Sequence, residues 1–103
     1  MIITKENFDK EVLQSEKTVV VDFFADWCGP CKMLAPVMSQ LNEEYNGKIK
    51  IVKINVDQEQ SLAMSYQVIS IPTVIIFKNG IVQEQIVGFT GKDNLKNKID
   101  AYL

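Results

Sequence analysis

The chain has 103 residues, which is enough for one compact domain, residues 1–103, and too few for a second. Hydrophobic residues make up 47% and charged residues 23%, the balance of an ordinary globular protein. The net charge is −2 and all 11 basic residues are lysines, so nucleic acid is not an expected partner, because phosphate binding needs clustered positive charge. No apolar run approaches the roughly 20 residues that cross a bilayer, and the first residues lack a signal-peptide pattern. We therefore expect a cytoplasmic protein that does not bind membranes.

The first part of the chain predicts a strand, a helix and a second strand. Residues 2–4 form a short candidate strand, and Thr4 can cap the helix that follows. Phe8 and Val12 give that helix an apolar stripe. Residues 18–24 are a near-continuous apolar run, which is typical of a central strand covered on both faces.

A long helix is predicted after this strand. Apolar residues recur at helical spacing from Met33 to Tyr45, and the pattern ends near Asn46-Gly47. Pro36 lies inside the pattern and should bend the helix.

Five more elements complete the chain. They are a strand, a short helix, two strands and a closing helix, at residues 49–56, 58–66, 73–77, 81–87 and 91–103. Asn79-Gly80 is a strong two-residue hairpin signal between the last two strands. The order β-α-β-α-β-α-β-β-α predicts an α/β fold, a central mixed β-sheet of about five strands flanked on both faces by four helices.

The chain contains two cysteines and no histidine. Structural zinc sites and iron–sulfur clusters usually need four ligands, so no metal site is expected within one chain, although a zinc site shared by two chains remains an alternative. Two thiols separated by two residues in a reducing compartment indicate reversible redox chemistry.

The cysteines fall where the central strand gives way to the long helix. A thiolate at a helix N-terminus faces unpaired backbone N–H groups and the positive end of the helix dipole, which lower its pKa. We expect Cys28 to be exposed at the helix start and Cys31 to be buried one turn in. Gly29 and Pro30 bring the sulfurs together, and proline is well suited to the first turn of a helix.

Asp22 is an ionisable residue within the apolar run of the central strand. A bare carboxylate is costly in such surroundings, and desolvation should raise its pKa. Asp22 is therefore a candidate base near neutral pH.

Several segments together carry a resemblance to a known family. They are residues 21–32, which read VDFFADWCGPCK, then Val56-Asp57, Ile71-Pro72-Thr73, residues 77–80, which read FKNG, and Val87-Gly88. A Cys-x-x-Cys pair alone is a weak signal, but with Trp before it, Gly-Pro inside it and Ile-Pro-Thr downstream it resembles the thioredoxin family specifically. The resemblance covers nearly the whole chain.

The resemblance implies a protein-disulfide reductase. Cys28 would attack the substrate disulfide as the nucleophile, and Cys31 would resolve the mixed disulfide. The reversible Cys28–Cys31 disulfide would be the only redox group, with no bound cofactor. Implied partners are disulfide-containing substrate proteins and a thioredoxin reductase, and the chain would act as a monomer.

The resemblance also assigns roles around the cysteines. Asp22 would assist proton transfer to and from Cys31, with Lys53 on the neighbouring strand as its charge partner. Pro72 would be the family's cis-proline, turning the backbone of Ile71 toward an extended substrate. An apolar docking rim would comprise Trp27, Gly29, Pro30, Ile71, Gly88 and Phe89.

Two residues depart from the family pattern. Phe24 stands where many bacterial relatives carry a second tryptophan, and Ile69 stands where a basic residue is common. The second change removes a positive charge beside the rim, which bears on partner preference and not on chemistry.

Alternatives remain open at this point. Asp22 and Lys53 are alternatively a structural buried pair, Trp27 a core residue and Pro72 an ordinary trans-proline. Oxidases and isomerases of this fold typically carry His in the two-residue insert, and a glutaredoxin would have a different insert and a glutathione site. A non-catalytic subunit of a larger assembly is a further alternative, compatible with reductase activity.

Overall fold

The computed structural model describes residues 1–103. The four strands are β1 (Thr18–Phe24), β2 (Ile49–Asn55), β3 (Thr73–Lys78) and β4 (Ile81–Val87). The three α-helices are α1 (Gly29–Tyr45), α2 (Gln60–Ser65) and α3 (Lys92–Asp100), and a π-helical segment spans Asp9–Leu13. No helix combines the length and apolar character that crossing a membrane requires.

The strands form one mixed sheet in the order β2-β1-β3-β4. β1 and β2 are parallel and are connected through α1, whereas β3 is antiparallel to both β1 and β4. The predicted α/β fold with a mixed central sheet is confirmed. β1 is an inner strand, so its carboxyl end, where the cysteines follow, is held from both sides.

The strand predicted at residues 2–4 is not formed, and only a single parallel bridge joins Ile2 to Lys53. The chain turns away at Thr4, whose carbonyl oxygen accepts hydrogen bonds from the N–H groups of Asn7 and Phe8. The prediction that Thr4 caps this segment is wrong, because its side chain makes no capping hydrogen bond. Instead, the N–H of Thr4 donates to the side chain of Asn7 at 2.7 Å. The sheet therefore has four strands, and the first of the four predicted helices is the short π-helical segment.

The alternation of side chains along β1 divides the core into two layers. Val19, Val21 and Phe23 face the cluster formed with the N-terminal segment and α2. Val20 faces the cluster formed with α1 and α3. Asp22 and Phe24 continue the Val20 series, so both belong to the α1 side of the sheet.

Both long helices present an apolar stripe to this second layer. The buried residues of α1 include Leu34, Met38 and Leu41, and those of α3 are Leu95 and Ile99. α1 continues through Pro36 to Tyr45, and its C-cap residue Asn46 adopts a left-handed conformation with φ of 46°. The first turn of α1, which carries the cysteines, is thereby anchored over the α1 side of β1.

Candidate active site

Cys28 and Cys31 form a disulfide at the N-terminus of α1, with their Cα atoms 5.3 Å apart. Cys28 is the N-cap residue, in extended conformation, and its Sγ accepts the N–H of Cys31 at 3.2 Å. Gly29 and Pro30 occupy the first turn of the helix, where the missing N–H of proline leaves no hydrogen bond unmade. The predicted position of both cysteines is confirmed. The helix dipole and this N–H favour a thiolate at Cys28 once the bond is reduced.

The predicted exposure of Cys28 is wrong for the disulfide form. Cys28 is 4% exposed and Cys31 is 5% exposed. Both pack with Ala25, and the half-buried side chains of Val56 and Ile71 close over them. Gly29, between the cysteines, faces open space, because a Cβ atom built on it would meet no atom within 4 Å apart from its chain neighbours and the backbone of its own helix.

Asp22 is 1% exposed, and neither of its carboxylate oxygens has a hydrogen-bond partner. In the sheet it is paired with Lys53 of β2 on one side and with Val74 of β3 on the other. Burial raises the pKa of Asp22 from 3.8 to about 6, and the charge of Lys53 opposes this rise. The carboxyl group therefore changes charge close to neutral pH.

Lys53 does not touch the carboxylate that it was expected to partner. Its side-chain nitrogen forms neither a hydrogen bond nor an ion pair within 4 Å, and it lies 4.5 Å from the ring centroid of Phe24. A cavity of about 160 Å³ opens beside it. The residues that line this cavity are Phe24, Ala25, Asp26, Cys31, Lys32, Ala35 and Lys53. Cys31 thus borders a space on the lysine side of the disulfide.

Trp27 lies at the surface, 70% exposed, so its alternative assignment to the core is wrong. Its indole N–H donates to Oδ2 of Asp57 at 2.8 Å. This bond ties the residue before Cys28 to the loop after β2. Asp57 was missed as a site residue, although Val56-Asp57 belongs to the segments that carry the family resemblance.

The loop before β3 borders the disulfide from the other side. The Ile71–Pro72 peptide bond is cis, as the resemblance implies. Pro72 is buried, and its carbonyl oxygen accepts the N–H of Gly88 at 2.8 Å, which brings Gly88 and the exposed Phe89 alongside. The N–H and carbonyl groups of Ile71 form no hydrogen bond.

The apolar surface near this loop includes Ile69, which we expect to widen the rim, and also Val87. Ile69 is 96% exposed, and Val87 is also exposed next to Gly88. Val87 pairs with Thr73 at the start of β3, one residue after Pro72. Val87 follows Gln83 and Gln85 at every second position along β4, so the polar face of this strand already indicates that Val87 points outward.

Asp22→Asn should stabilise the folded chain in a pH-dependent way. Because the pKa of Asp22 is higher in the folded state than its ordinary value of 3.8, the folded state binds this proton more tightly. The contribution of Asp22 to the free energy of unfolding is therefore highest at low pH and is lost as pH rises through about 6. We expect the variant to gain about 1–3 kcal/mol over the natural chain at pH 7 and little near pH 4, measured by urea denaturation.

The matched control is Asp93→Asn, because Asp93 is an exposed carboxylate in the first turn of α3. It should change the free energy of unfolding by less than about 1 kcal/mol. A difference between Asp22→Asn and the natural chain that stays constant from pH 4 to pH 8 would contradict the raised pKa of Asp22.

Comparison with known proteins agrees with this geometry. The sequence model of the thioredoxin family matches residues 1–101. Thioredoxin of Chlorobaculum thiosulfatiphilum is 48% identical over 100 residues, which cover 97% of this chain and 93% of that protein. Thioredoxin of Staphylococcus haemolyticus is 46% identical over 101 residues, 98% of this chain and 95% of that protein. The chloroplastic M-type thioredoxin of Spinacia oleracea is 46% identical over 98% of this chain, which spans 56% of the plant protein.

Members of this family are protein-disulfide oxidoreductases that a thioredoxin reductase recharges, and their redox group is a cysteine pair without a bound cofactor. Here the pair stands at disulfide distance at the start of α1. By its sequence, its fold and its disulfide, this thiol–disulfide oxidoreductase belongs to the thioredoxin family.

Proposed function

We propose that the chain reduces protein disulfides with Cys28 as the attacking thiolate and Cys31 as the resolving thiol. The observation that carries this assignment is the hydrogen bond from the Cys31 N–H to Sγ of Cys28 at the helix N-terminus. A thiolate at Cys28 keeps that donor and the favourable helix dipole. Cys31 lies inside the first turn and borders the cavity on the Lys53 side.

Two thiol–disulfide exchanges complete the reaction. The Cys28 thiolate attacks one sulfur of the substrate disulfide, whose S–S bond breaks, and the departing thiolate takes up a proton. Cys31 then loses its proton and attacks Sγ of Cys28, which releases the second substrate thiol. Two electrons have passed to the substrate, and the chain is left with the Cys28–Cys31 disulfide seen in the structure.

Single serine variants separate the two roles. Cys28→Ser should abolish reduction of a protein disulfide, since no thiolate remains at the helix start. Cys31→Ser should trap covalent complexes with substrate, visible on a non-reducing gel and dissolved by dithiothreitol. Trapping by the Cys28→Ser variant through Cys31 would reverse the assignment.

We propose further that Asp22 accepts the proton of Cys31 during resolution. Cys31 is 5% exposed, so its thiolate is poorly solvated and its proton leaves reluctantly. Asp22 lies on the α1 side of β1, and its pKa of about 6 suits a base at neutral pH. Lys53, paired with Asp22 across the two strands, is the positive charge that limits the rise of this pKa.

Asp22→Asn tests this role kinetically. The variant keeps the shape of the side chain and removes the base, so the mixed disulfide should resolve more slowly near neutral pH. The rate should recover in part at higher pH, where hydroxide removes the proton. Stopped-flow measurement of resolution from pH 6 to pH 9 gives the result, and a wild-type rate across this range would mean that the proton acceptor is another group.

We propose that an extended substrate segment docks beside Ile71. Its free N–H and carbonyl groups offer two hydrogen bonds to an added strand. The surrounding rim comprises Trp27, Gly29, Pro30, Ile71 and Gly88, with Pro72 buried beneath as its support. Ile69 and Phe89 extend this rim with exposed apolar side chains, and Ile69 stands where a basic residue is common in the family.

The complex trapped by Cys31→Ser also tests the docking rim. With a peptide held as a mixed disulfide on Cys28, the amide resonances of Ile71 and Gly88 should shift, and that of Ile71 should gain protection from hydrogen exchange. The backbone amide of Asn97, a surface residue of α3, is the internal reference and should not change. Unchanged resonances at Ile71 would remove this surface from the proposal.

We propose that the chain works as a monomeric, single-domain cytoplasmic protein. Both cysteines, Asp22 and the rim come from one chain, so no second copy is needed to complete the site. A dithiol reductase also needs a compartment that keeps thiols reduced. Light scattering of the purified chain checks the oligomeric state.

A further inference from the structure

The ammonium group of the half-buried Lys53 contacts an aromatic ring and not a carboxylate. Its side-chain nitrogen lies 4.5 Å from the centroid of Phe24. Asp22 is its partner in the sheet register, yet both oxygens of Asp22 lack a hydrogen-bond partner. The ammonium therefore lies over the aromatic face, and the quadrupole of the ring attracts it.

Strand alternation places these three side chains on one face. Val20, Asp22 and Phe24 alternate with the residues that face α2, and Ile51 and Lys53 of β2 follow the same rule. Phe24 lies one step beyond Asp22, toward the cysteines, and packs against the cluster that contains the disulfide. Phe24 therefore contacts both the lysine and the cluster that contains the disulfide.

We propose that Phe24 is a positioning residue for the proton transfer: its ring holds the Lys53 ammonium at the cavity bordered by Cys31 and keeps it from closing onto Asp22. This proposal rests on the assignment of Asp22 as the base. A contact ion pair between lysine and carboxylate would favour the ionised form and make Asp22 a weaker base. Held on the ring, the charge still acts on Asp22 but from a fixed distance.

Other charges around this space are few. α1 contributes Lys32 and the thiol of Cys31, and the loop before α1 contributes Asp26, all of which line the same cavity. The third strand of the sheet places the uncharged Val74 opposite Asp22. Lys53 is the charged residue that shares the strand register with Asp22, so moving its ammonium has the largest effect on that carboxyl group.

Replacing the ring tests the proposal directly. Phe24→Leu removes the aromatic face and keeps an apolar side chain, whereas Phe24→Trp keeps a ring that attracts cations more strongly. We expect the titration midpoint of Asp22, followed by carboxyl carbon NMR, to fall by about one pH unit in Phe24→Leu and to stay unchanged or rise in Phe24→Trp. Phe24→Met is measured alongside, so that the result does not depend on the folding of one variant.

The same Phe24 substitution in a chain without Lys53 distinguishes positioning of the ammonium from exclusion of water around Asp22. In a Lys53→Met chain the ammonium is gone, so Phe24→Leu should no longer change the Asp22 midpoint. A shift of equal size in that background would mean that the ring acts only by excluding water, and the proposal would be wrong. An unchanged midpoint in Phe24→Leu with Lys53 present would overturn it as well.

The kinetic readout distinguishes this proposal from the base assignment. If both hold, the pH profile of mixed-disulfide resolution in Phe24→Leu moves with the Asp22 midpoint. If Asp22→Asn resolves at the wild-type rate while Phe24→Leu still moves the midpoint, the ring positions the lysine but Asp22 is not the base. That combination overturns the role in proton transfer and leaves the contact between Phe24 and Lys53 intact.

Discussion

The whole site depends on one constraint, the alternation of side chains along an inner strand. In β1 three residues face the α2 layer, and the positions between them face α1. This parity places Asp22 on the same side as the helix that carries the dithiol. A shift of one residue in register would turn the carboxylate to the opposite layer and bring Phe23 beneath the cysteines. The parallel pairing with β2 then fixes which residue of that strand lies beside Asp22, and it is Lys53.

A buried carboxylate without a hydrogen bond is an unusual element in so small a core. Its environment is apolar on the β3 side, and its nearest opposite charge is held on an aromatic ring. Such a group makes the folded state less stable at neutral pH than an apolar residue of similar size would. The cost is concentrated at one residue, because the oxygens of Asp22 are the only buried side-chain polar atoms without a hydrogen-bond partner. Stability is thus lowered at the residue whose raised pKa suits the proposed proton transfer.

The local pattern of the sequence was sufficient for most elements of the fold. β1 and β4 were predicted with their observed bounds, since an apolar run and a hairpin signal depend on neighbouring residues only. The position of the cysteines at the start of α1 followed for the same reason.

Features that depend on distant residues were not predictable. The bond from Trp27 to Asp57 spans 30 positions, and Cys28 is covered by side chains that include Val56 and Ile71. The prediction of an N-terminal strand was wrong, because the segment is short and the turn at Thr4 ends its pairing with β2 after one bridge.

Pro36 divides the hydrogen-bond ladder of α1 into two parts. Proline carries no N–H, so the carbonyl of Lys32, one turn earlier, lacks the helical donor that an ordinary residue at position 36 would provide. The part before this gap holds the cysteines and packs on the core through Leu34, and the part after it packs there through Met38, Leu41 and Tyr45. Small movements of the first turn, as Cys31 reaches for Cys28, therefore need not disturb the rest of the helix. Amides in the two parts should accordingly exchange with solvent through separate opening events, with the catalytic turn opening first.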